Sequence, residues 1–235
     1  MDNKIEIVTY TNSGYVEMTK NLIISAAKNA PNIKITVYVL DEKSKSELKF
    51  FNNINIKEIE NKFFIDHNLI DIRNKNFGLM MGYKYEIIYK SLLQNRHVLY
   101  IDGDIVIKKD FTNYLLSNID NKDILIQNDL NPNKPKLENL CAGFMMIKSN
   151  KKTLKFFNPK NVNLKKVSKL KNHDQTYLIK NRRKFNYKKL ELDLFPNGPH
   201  FYTGKSLNPY IVHFNFLIGG DEKISKMKEF NEWYV

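Results

Sequence analysis

Short apolar runs alternate with segments of helical periodicity along the first part of the chain. The run at Ile5–Tyr10 predicts a strand, and apolar residues at helical spacing predict a helix over Tyr15–Ala30. Further strands are predicted over Ile33–Leu40 and Ile54–Ile59, with a short helix over Ser44–Phe51 between them. Strand, helix and strand in this order are typical of a βαβ unit, and therefore of a parallel sheet.

The most apolar stretch of the chain lies near its middle. An amphipathic pattern predicts a helix over Leu79–Gln94, which leads into the run Val98–Ile107. Two carboxylates and a glycine, Asp102-Gly103-Asp104, interrupt this run. Apolar residues bounded in this way are typical of a buried strand in a sheet that is covered on both faces.

Shorter elements continue the alternation to the end of the chain. The pattern predicts a helical segment from Asp110, strands over Asp123–Gln127, Cys141–Ile147 and Ile211–Phe214, and helices over Thr153–Phe157, His173–Lys180 and Asp221–Phe230. Together these elements predict an α/β fold with a mainly parallel sheet flanked by helices.

The Asp-Gly-Asp turn is the first candidate for chemistry. Ligands of α/β sheets bind beyond the carboxyl ends of the strands, where Asp102 and Asp104 are expected, and Gly103 allows a tight turn and close approach of a ligand. Two carboxylates this close repel each other unless they share a cation, and magnesium or manganese suits oxygen ligands. The alternative is a solvated Asp-Gly turn between two strands.

Composition limits the class of protein. The chain has 235 residues, enough for one domain with a substantial core. A single cysteine, Cys141, excludes an intramolecular disulfide framework and a multi-cysteine zinc site. Neither a signal pattern at the N-terminus nor an apolar run of membrane-spanning length is present. We therefore expect a soluble cytoplasmic protein, and the sequence carries no signal for its oligomeric state.

The net charge of +13 raises the question of an anionic partner. Lysines are scattered and accompanied by many asparagines and isoleucines, a bias typical of AT-rich genomes, so a solvated basic surface is favoured and nucleic acid is not expected. Basic density rises between Lys148 and Lys189, which would suit an acidic acceptor or a membrane surface.

Other candidate residues lie near predicted strand ends. Tyr10, Thr11 and Tyr15 follow the first strand, where aromatic faces suit a base or sugar, although packing is the alternative. His213 ends a predicted strand and is followed by two glycines and Lys223, a combination that suits a metal and a phosphate. Taken alone, His213 is more typical of a hydrogen-bonded core residue.

An ordered set of short motifs runs along most of the chain: Thr9-Tyr10-Thr11, Lys84, Tyr100-Ile101-Asp102-Gly103-Asp104, Cys141-Ala142-Gly143-Phe144, His173-Asp174-Gln175, Val212-His213-Phe214-Asn215, Gly219, Gly220 and Lys223. Taken together, these motifs resemble those of the nucleotide-diphospho-sugar transferases, which are glycosyltransferases of the GT-A fold. The resemblance is strongest with the retaining branch typified by plant and algal wall galactosyl-, xylosyl- and arabinosyltransferases. Small size and the lysine–asparagine bias resemble versions from large DNA viruses.

The resemblance implies one Rossmann-like GT-A domain over residues 1–235, with a mixed, mainly parallel sheet. Residues 1–107 would form the nucleotide-binding half, and residues 108–235 the sugar and acceptor half with a metal and diphosphate corner. The implied reaction moves a hexose or pentose from a nucleotide-diphosphate donor, expected to be UDP-linked, to a glycan or protein acceptor. For a viral protein the expected location is the host cytoplasm.

The resemblance also implies roles for individual residues. Asp102, Asp104 and His213 would hold Mn²⁺ or Mg²⁺ on the donor diphosphate, and Lys223 would neutralise the leaving group. Further implied donor-binding residues are Thr9, Tyr10, Thr11 and Tyr15 at the nucleotide, Cys141, Ala142 and Gly143 beneath the sugar, and Lys84, Gly103, Asn215, Gly219 and Gly220.

Asp174 and Gln175 would lie near the reacting carbon of the sugar. An inverting enzyme needs a carboxylate base behind the acceptor hydroxyl, whereas Asp-Gln at this point resembles the retaining pattern. Cys141-Ala142 stands where many relatives have an asparagine-threonine pair, which leaves the sugar specificity open. The chain is also shorter than most relatives, so a reduced acceptor side is expected.

Three other interpretations remain open from the sequence. A haloacid-dehalogenase-type phosphatase would use Asp102 as nucleophile and Asp104 as general acid, but that motif normally opens the domain and is followed by Thr or Ser. A basic nucleic-acid-binding module would tolerate loss of Asp102. A transferase without turnover would still bind the nucleotide sugar.

Overall fold

The computed structural model describes residues 4–60, 75–134, 139–167, 169–170 and 173–235. The strands are β1 (Ile5–Thr11), β2 (Ile35–Val39), β3 (Ile54–Glu58), β4 (His97–Ile101), β5 (Ile105–Ile107), β6 (Ile124–Asn128), β7 (Leu140–Lys148), β8 (Tyr187–Lys189) and β9 (Ile211–His213). The helices are α1 (Val16–Asn29), α2 (Glu42–Leu48), α3 (Lys75–Gln94), α4 (Thr112–Ile119), α5 (Lys151–Phe157), α6 (Leu164–Val167), α7 (His173–Asn181), α8 (Gly198–Tyr202) and α9 (Gly220–Glu229).

Seven strands form one sheet in the order β3-β2-β1-β4-β7-β6-β8, and β5 pairs with β9 in a separate two-stranded sheet. Parallel pairing joins β1 to β4, β2 to β3 and β6 to β8. The predicted α/β fold with a mixed, mainly parallel sheet and flanking helices is confirmed. Among the described helices, none combines the length and the apolar character needed to cross a bilayer.

Strand β7 runs antiparallel to both of its neighbours, β4 and β6. Its register places Phe144 opposite Ile101, the last residue of β4. In an antiparallel pair the start of one strand lies beside the end of the other. The small residues that open β7 therefore lie at the carboxyl end of β4, the edge at which ligands of α/β sheets bind.

Contacts between residues divide the chain into two compact units. The first unit comprises Met1–Val8, Ile72–Ile101 and Phe111–Leu190. Within it, α5, α6 and α7 each contact α3. An aromatic group joins α3, α5 and α7, with ring centroids 4.7–6.1 Å apart in the pairs that connect its members: Tyr85, Phe156, Phe157, Tyr177 and Phe185. Burial raises the pKa of the Tyr85 hydroxyl well above its ordinary value.

The second unit comprises Thr9–Asp71, Asp102–Asp110 and Glu191–Val235. Helix α1 contacts β5, and Val106 of β5 belongs to a buried apolar cluster with Val212, Phe214 and Met227. The chain terminus is tied to α1, because the Asn21 side-chain amide donates to the Glu232 carbonyl at 2.9 Å. The predicted functional halves, residues 1–107 and 108–235, concern ligand binding and stay a prediction.

Most predicted elements are present, with shifted ends. Helix α2 begins at Glu42 instead of Ser44, because the Asp41 carboxylate caps it by accepting from the Ser44 amide at 2.7 Å. The apolar run Val98–Ile107 does not form a single strand. The chain leaves the main sheet after β4, and β5 pairs with β9 in the small sheet. Strand β8 and the short helices α6 and α8 were not predicted, since runs of three to five residues carry too little periodicity.

Candidate active site

Asp102, Gly103 and Asp104 connect β4 to β5. The Ile105 amide donates to the Asp102 carbonyl at 3.3 Å and closes the turn. A Cβ atom at Gly103 would lie 3.0 Å from the Thr19 hydroxyl of α1, closer than most real Cβ contacts. A larger residue here would require the Thr19 side chain to shift by a few tenths of an ångström, so the nearness of α1 favours glycine in this turn.

Pairing of β5 with β9 brings His213 to this turn. Ile105 lies opposite His213, and the Phe214 amide donates to the Asp104 carbonyl at 3.0 Å. The His213 Nε2 atom is 3.2 Å from the Asp104 carboxylate. One ligand atom from each of Asp102, Asp104 and His213 lies within 4.8 Å of the others. Two carboxylates with an imidazole fit a divalent ion such as Mn²⁺ or Mg²⁺.

Charges around Asp104 keep it ionised. Lys223, in the first turns of α9, places its ammonium 2.5 Å from the second oxygen of the Asp104 carboxylate. Burial alone would raise the pKa of Asp104, but the charges and hydrogen bonds of Lys223 and His213 hold it well below its ordinary value. The Asp104 carboxylate is therefore ionised at neutral pH. It can interact both with the Lys223 ammonium and with a cation bound at the cluster.

The residues predicted to hold the nucleotide differ in exposure. Thr9 and Thr11 of β1 are buried, and the Thr19 hydroxyl donates to the Thr11 hydroxyl at 3.0 Å. Tyr10 and Tyr15 are half-buried and retain accessible surface. The tyrosines are therefore better placed than the threonines to contact a ligand directly, and the threonines are better suited to support the strand end.

A buried ion pair lies in the first unit. The Lys84 ammonium of α3 is 2.7 Å from the Asp174 carboxylate and donates to the Ala142 carbonyl at 3.3 Å. It also lies 4.7 Å from the centre of the Tyr100 ring. Lys84 and Asp174 are 4% and 7% exposed, so each charge needs the other. The sequence predicts that Lys84 contacts the sugar donor. The structure shows it paired with Asp174 and hydrogen-bonded to the Ala142 carbonyl at the start of β7.

The Gln175 side chain is held by residues that sequence reasoning missed. Its amide nitrogen donates to the Asp129 carboxylate at 2.8 Å and to the Asn139 side-chain oxygen at 3.3 Å. Asn139 in turn donates to Asp129 at 3.0 Å. These bonds occupy the NH₂ end of the Gln175 amide, and the carbonyl oxygen is its other, accepting end. His173, at the start of α7, has a φ of 35°, a strained value of the kind found at functional sites.

Cys141 and Ala142, at the start of β7, are almost fully buried. The Gly143 amide donates to the Cys141 sulfur at 3.3 Å. Their small side chains lie beside the carboxyl end of β4, as their predicted place beneath a sugar requires. Direct contact with a sugar stays a prediction for these three residues.

Asn215 and the glycine pair shape the loop before α9. The Asn215 side-chain oxygen accepts from the Gly198 amide at 2.8 Å, so this side chain holds the loop to α8. Gly219 has a φ of 86°, a conformation that glycine adopts without strain, and Gly220 begins α9. Lys223 lies in the first turn of α9, shortly after this glycine pair.

Comparison with known families shows which family the chain belongs to. The family model of nucleotide-diphospho-sugar transferases matches residues 33–227, which include the Asp-Gly-Asp turn, His213 and Lys223. The chain belongs to the nucleotide-diphospho-sugar transferase family. The predicted resemblance is confirmed, and its fold is the GT-A fold. The haloacid-dehalogenase alternative has no support in these comparisons.

A curated relative of this transferase is UDP-galactose:fucoside alpha-3-galactosyltransferase of Dictyostelium discoideum. The two are 25% identical over 300 residues, an alignment that covers 100% of this chain. The chain spans 45% of the length of that relative.

Solved structures show the same fold at low sequence identity. The galactosyltransferase LgtC, crystallised with donor and acceptor sugar analogues, superposes with a TM-score of 0.61 at 14% identity, covering 89% of this chain and 87% of that chain. Mouse xyloside xylosyltransferase 1 gives 0.55 at 12% identity, covering 92% and 98%. A glycosyltransferase involved in glycosylation of the major capsid of PBCV-1 gives 0.55 at 12% identity, covering 96% and 98%.

Proposed function

We propose that this transferase moves a sugar from a UDP-linked donor to a glycan or protein acceptor, with a divalent ion and with retention of configuration at the anomeric carbon. The cluster of Asp102, Asp104 and His213, with Lys223 against it, carries the proposal because it occurs in a chain of the nucleotide-diphospho-sugar transferase family.

The metal corner supplies charge for the departure of the nucleotide. A bound Mn²⁺ or Mg²⁺ would neutralise part of the charge that develops on the donor diphosphate. Asp104 enters this role already ionised, and His213 is positioned by the β5–β9 register. Lys223 and the first amides of α9 would donate to the same leaving group, since helix N-termini favour anions.

The donor nucleotide is proposed to be UDP. The name of the Dictyostelium relative specifies UDP-galactose as its donor, which makes UDP-galactose the first donor to test here. Tyr10 and Tyr15 offer half-buried aromatic faces at the end of β1, on which a planar base can pack. The sugar itself is proposed to contact Cys141, Ala142 and Gly143 at the start of β7.

Retention is supported by the state of the acidic and amide side chains of α7. An inverting reaction needs a carboxylate that can accept the acceptor's proton. The Asp174 carboxylate is instead held by the buried ammonium of Lys84, and Gln175 is a neutral amide whose NH₂ end is occupied. The Gln175 carbonyl would stabilise positive charge at the anomeric carbon while the acceptor attacks from the side of the leaving group.

The acceptor substrate and the cellular location stay predictions. The Dictyostelium relative is named for a fucoside acceptor, and the PBCV-1 neighbour for a capsid protein. A fucoside acceptor and a capsid acceptor are both compatible with the predicted glycan or protein acceptor. The predicted cytoplasmic location and viral source stand on the sequence alone.

Release of UDP from a panel of UDP-sugars tests the proposal. The wild-type protein, Asp102→Asn and the exposed control Asp110→Asn are incubated with each donor and Mn²⁺, or with a chelator. We expect metal-dependent release with at least one donor, lost in Asp102→Asn and kept in Asp110→Asn. Release that is unaffected by chelation and by Asp102→Asn would contradict the proposed metal-dependent site. Covalent phosphate labelling of Asp102 by phosphorylated substrates would favour the phosphatase alternative instead.

A further inference from the structure

The excess positive charge of the chain is concentrated in one segment. Residues 148–189 contain 15 of the 38 lysines and arginines but one of the 25 aspartates and glutamates. This stretch, here called the basic segment, therefore carries a formal charge of +14, and the other 193 residues carry −1. A compositional bias toward lysine would raise lysine along the whole chain without removing acidic residues from one part, so it does not account for this distribution.

The fold turns these charges outward. The basic segment includes α5, α6 and α7, all of which contact α3 and bury apolar residues such as Phe156, Phe157 and Leu178. Its one acidic residue, Asp174, is buried and paired with Lys84, so it does not offset the surface charge. Among the residues of the segment whose side chains the structure describes, the exposed basic ones are Lys151, Lys152, Lys155, Lys160, Lys166, Lys169, Lys180, Arg183, Lys184, Lys188 and Lys189.

We propose that the basic segment is a docking surface for a bilayer that contains anionic phospholipid. Each lysine or arginine near an anionic membrane adds a similar, small attraction, so many cations spread over successive elements suit a planar field of headgroups. A small acidic ligand would engage only a few of them. Leu93, near the end of α3, is 59% exposed, and the hydroxyl of Ser149 in the basic segment donates to the adjacent Leu92 carbonyl at 2.7 Å. An exposed apolar side chain on α3, the helix that the basic segment packs against, favours a membrane interface over a purely ionic partner.

Nucleic acid fits this surface less well. Proteins that bind single strands combine cations with exposed aromatic side chains on which bases stack. In the basic segment the three phenylalanines, Phe156, Phe157 and Phe185, are each less than 10% exposed and lie in the interior of the first unit. The two tyrosines of the segment, Tyr177 and Tyr187, are half-buried, and one face of the Tyr177 ring is stacked on Phe156. None of these five aromatic side chains is fully exposed, so the segment suits base stacking poorly.

Vesicle binding tests the proposal without any use of donor or activity. The purified protein is sedimented with vesicles of phosphatidylcholine alone or of phosphatidylcholine with phosphatidylserine, at low and at high salt. The test variant replaces Lys151, Lys155 and Lys160 with glutamine. The matched control replaces three exposed lysines outside the segment, Lys34, Lys43 and Lys205, with glutamine and so has the same net charge. Circular dichroism verifies that both variants fold, which all six exposed positions should permit.

We expect wild-type protein to bind the phosphatidylserine vesicles and to be released by salt. The test variant should bind about 100-fold more weakly, the combined effect of three cations at an anionic surface, and the control should lose less than about threefold. Equal losses in both variants, or no preference for phosphatidylserine in the wild type, would overturn the proposal. Tighter binding to a single-stranded oligonucleotide than to these vesicles at the same salt would overturn it in favour of nucleic acid. Because no reaction is measured, these outcomes are independent of the proposed transferase activity.

Discussion

Among single residues, Lys84 and Asp174 form a buried ion pair whose energetic role can be tested by mutation. Removing one member leaves the other charged and buried, which typically costs about 3–5 kcal/mol. We predict this loss for Lys84→Met, and a much smaller loss for Lys84→Met combined with Asp174→Leu, since the double variant leaves no orphaned charge. Urea unfolding of the wild type, both single variants and the double variant gives the coupling energy. Additive losses would contradict a direct interaction between the two side chains.

Asp129 is predicted to act through Gln175 instead of through the substrate. Asp129→Ala removes the acceptor that holds the Gln175 amide, so the carbonyl end is no longer aimed. We expect the kcat for sugar transfer to fall about 10- to 100-fold with little change in the KM for donor, as misplacement of a reacting group does. Asp129→Asn keeps one acceptor oxygen and should recover part of the rate. An equal rise in KM in both variants, with kcat unchanged, would contradict this positioning role.

Candidate residues could be identified from the sequence where their chemistry and their position beside an element coincide. Asp102 and Asp104 follow an apolar run directly, and His213 and Lys223 end or follow short elements, so their residue types already indicated a metal and phosphate corner. The Lys84–Asp174 pair was not predictable as a pair, because 90 positions separate its members and only the packing of α3 against α7 brings them together. Asp129 and Asn139 lie in no motif, and nothing in the sequence indicated them.

At the scale of elements, Asp123 joins β6 to the start of α5 and to β8. Its carboxylate accepts from the Asn186 amide and the Asn150 side chain, each at 2.8 Å. Burial raises the pKa of Asp123, but these hydrogen bonds and Lys152 outweigh it and lower the pKa below its ordinary value. The charged carboxylate therefore stabilises the fold at pH above its unfolded pKa of about 4, and this contribution is lost as the pH falls through the native pKa.

We predict from this that Asp123→Asn lowers the free energy of unfolding by about 1–3 kcal/mol at neutral pH. The difference from wild type should shrink as the pH is lowered through the acidic range, because the wild-type carboxyl then becomes protonated as well. Urea unfolding at several pH values measures this, with the exposed Asp120→Asn as control. A difference that stays constant with pH would contradict the role assigned to the charge.

Element types were more predictable than element partners. Apolar runs and helical spacing identified most strands and helices, because burial against one face imposes those periods. Whether β7 runs parallel or antiparallel, and that β5 leaves the main sheet to pair with β9, depends on contacts between distant residues. A three-residue strand such as β8 is defined by its neighbour β6 and not by its own sequence.

At the scale of the whole molecule, composition and element order sufficed for the fold class, and the ordered set of motifs sufficed for the family. Neither a motif count nor the net charge indicated that each compact unit is assembled from three separate stretches of chain. The net charge of +13 follows directly from the composition. Its proposed role depends on the concentration of this charge in residues 148–189.

Calorimetric titration of UDP measures directly whether nucleotide binding depends on a metal held by Asp102, Asp104 and His213. UDP is titrated into wild type, Asp104→Asn and the exposed control Asp110→Asn, each with and without Mn²⁺. We predict that UDP binding requires the metal in the wild type and in Asp110→Asn. A folded Asp104→Asn should not bind UDP, because it lacks the ionised carboxylate that Asp104 contributes to the metal cluster. Equal binding of UDP with and without metal, or undiminished metal-dependent binding in Asp104→Asn, would contradict it.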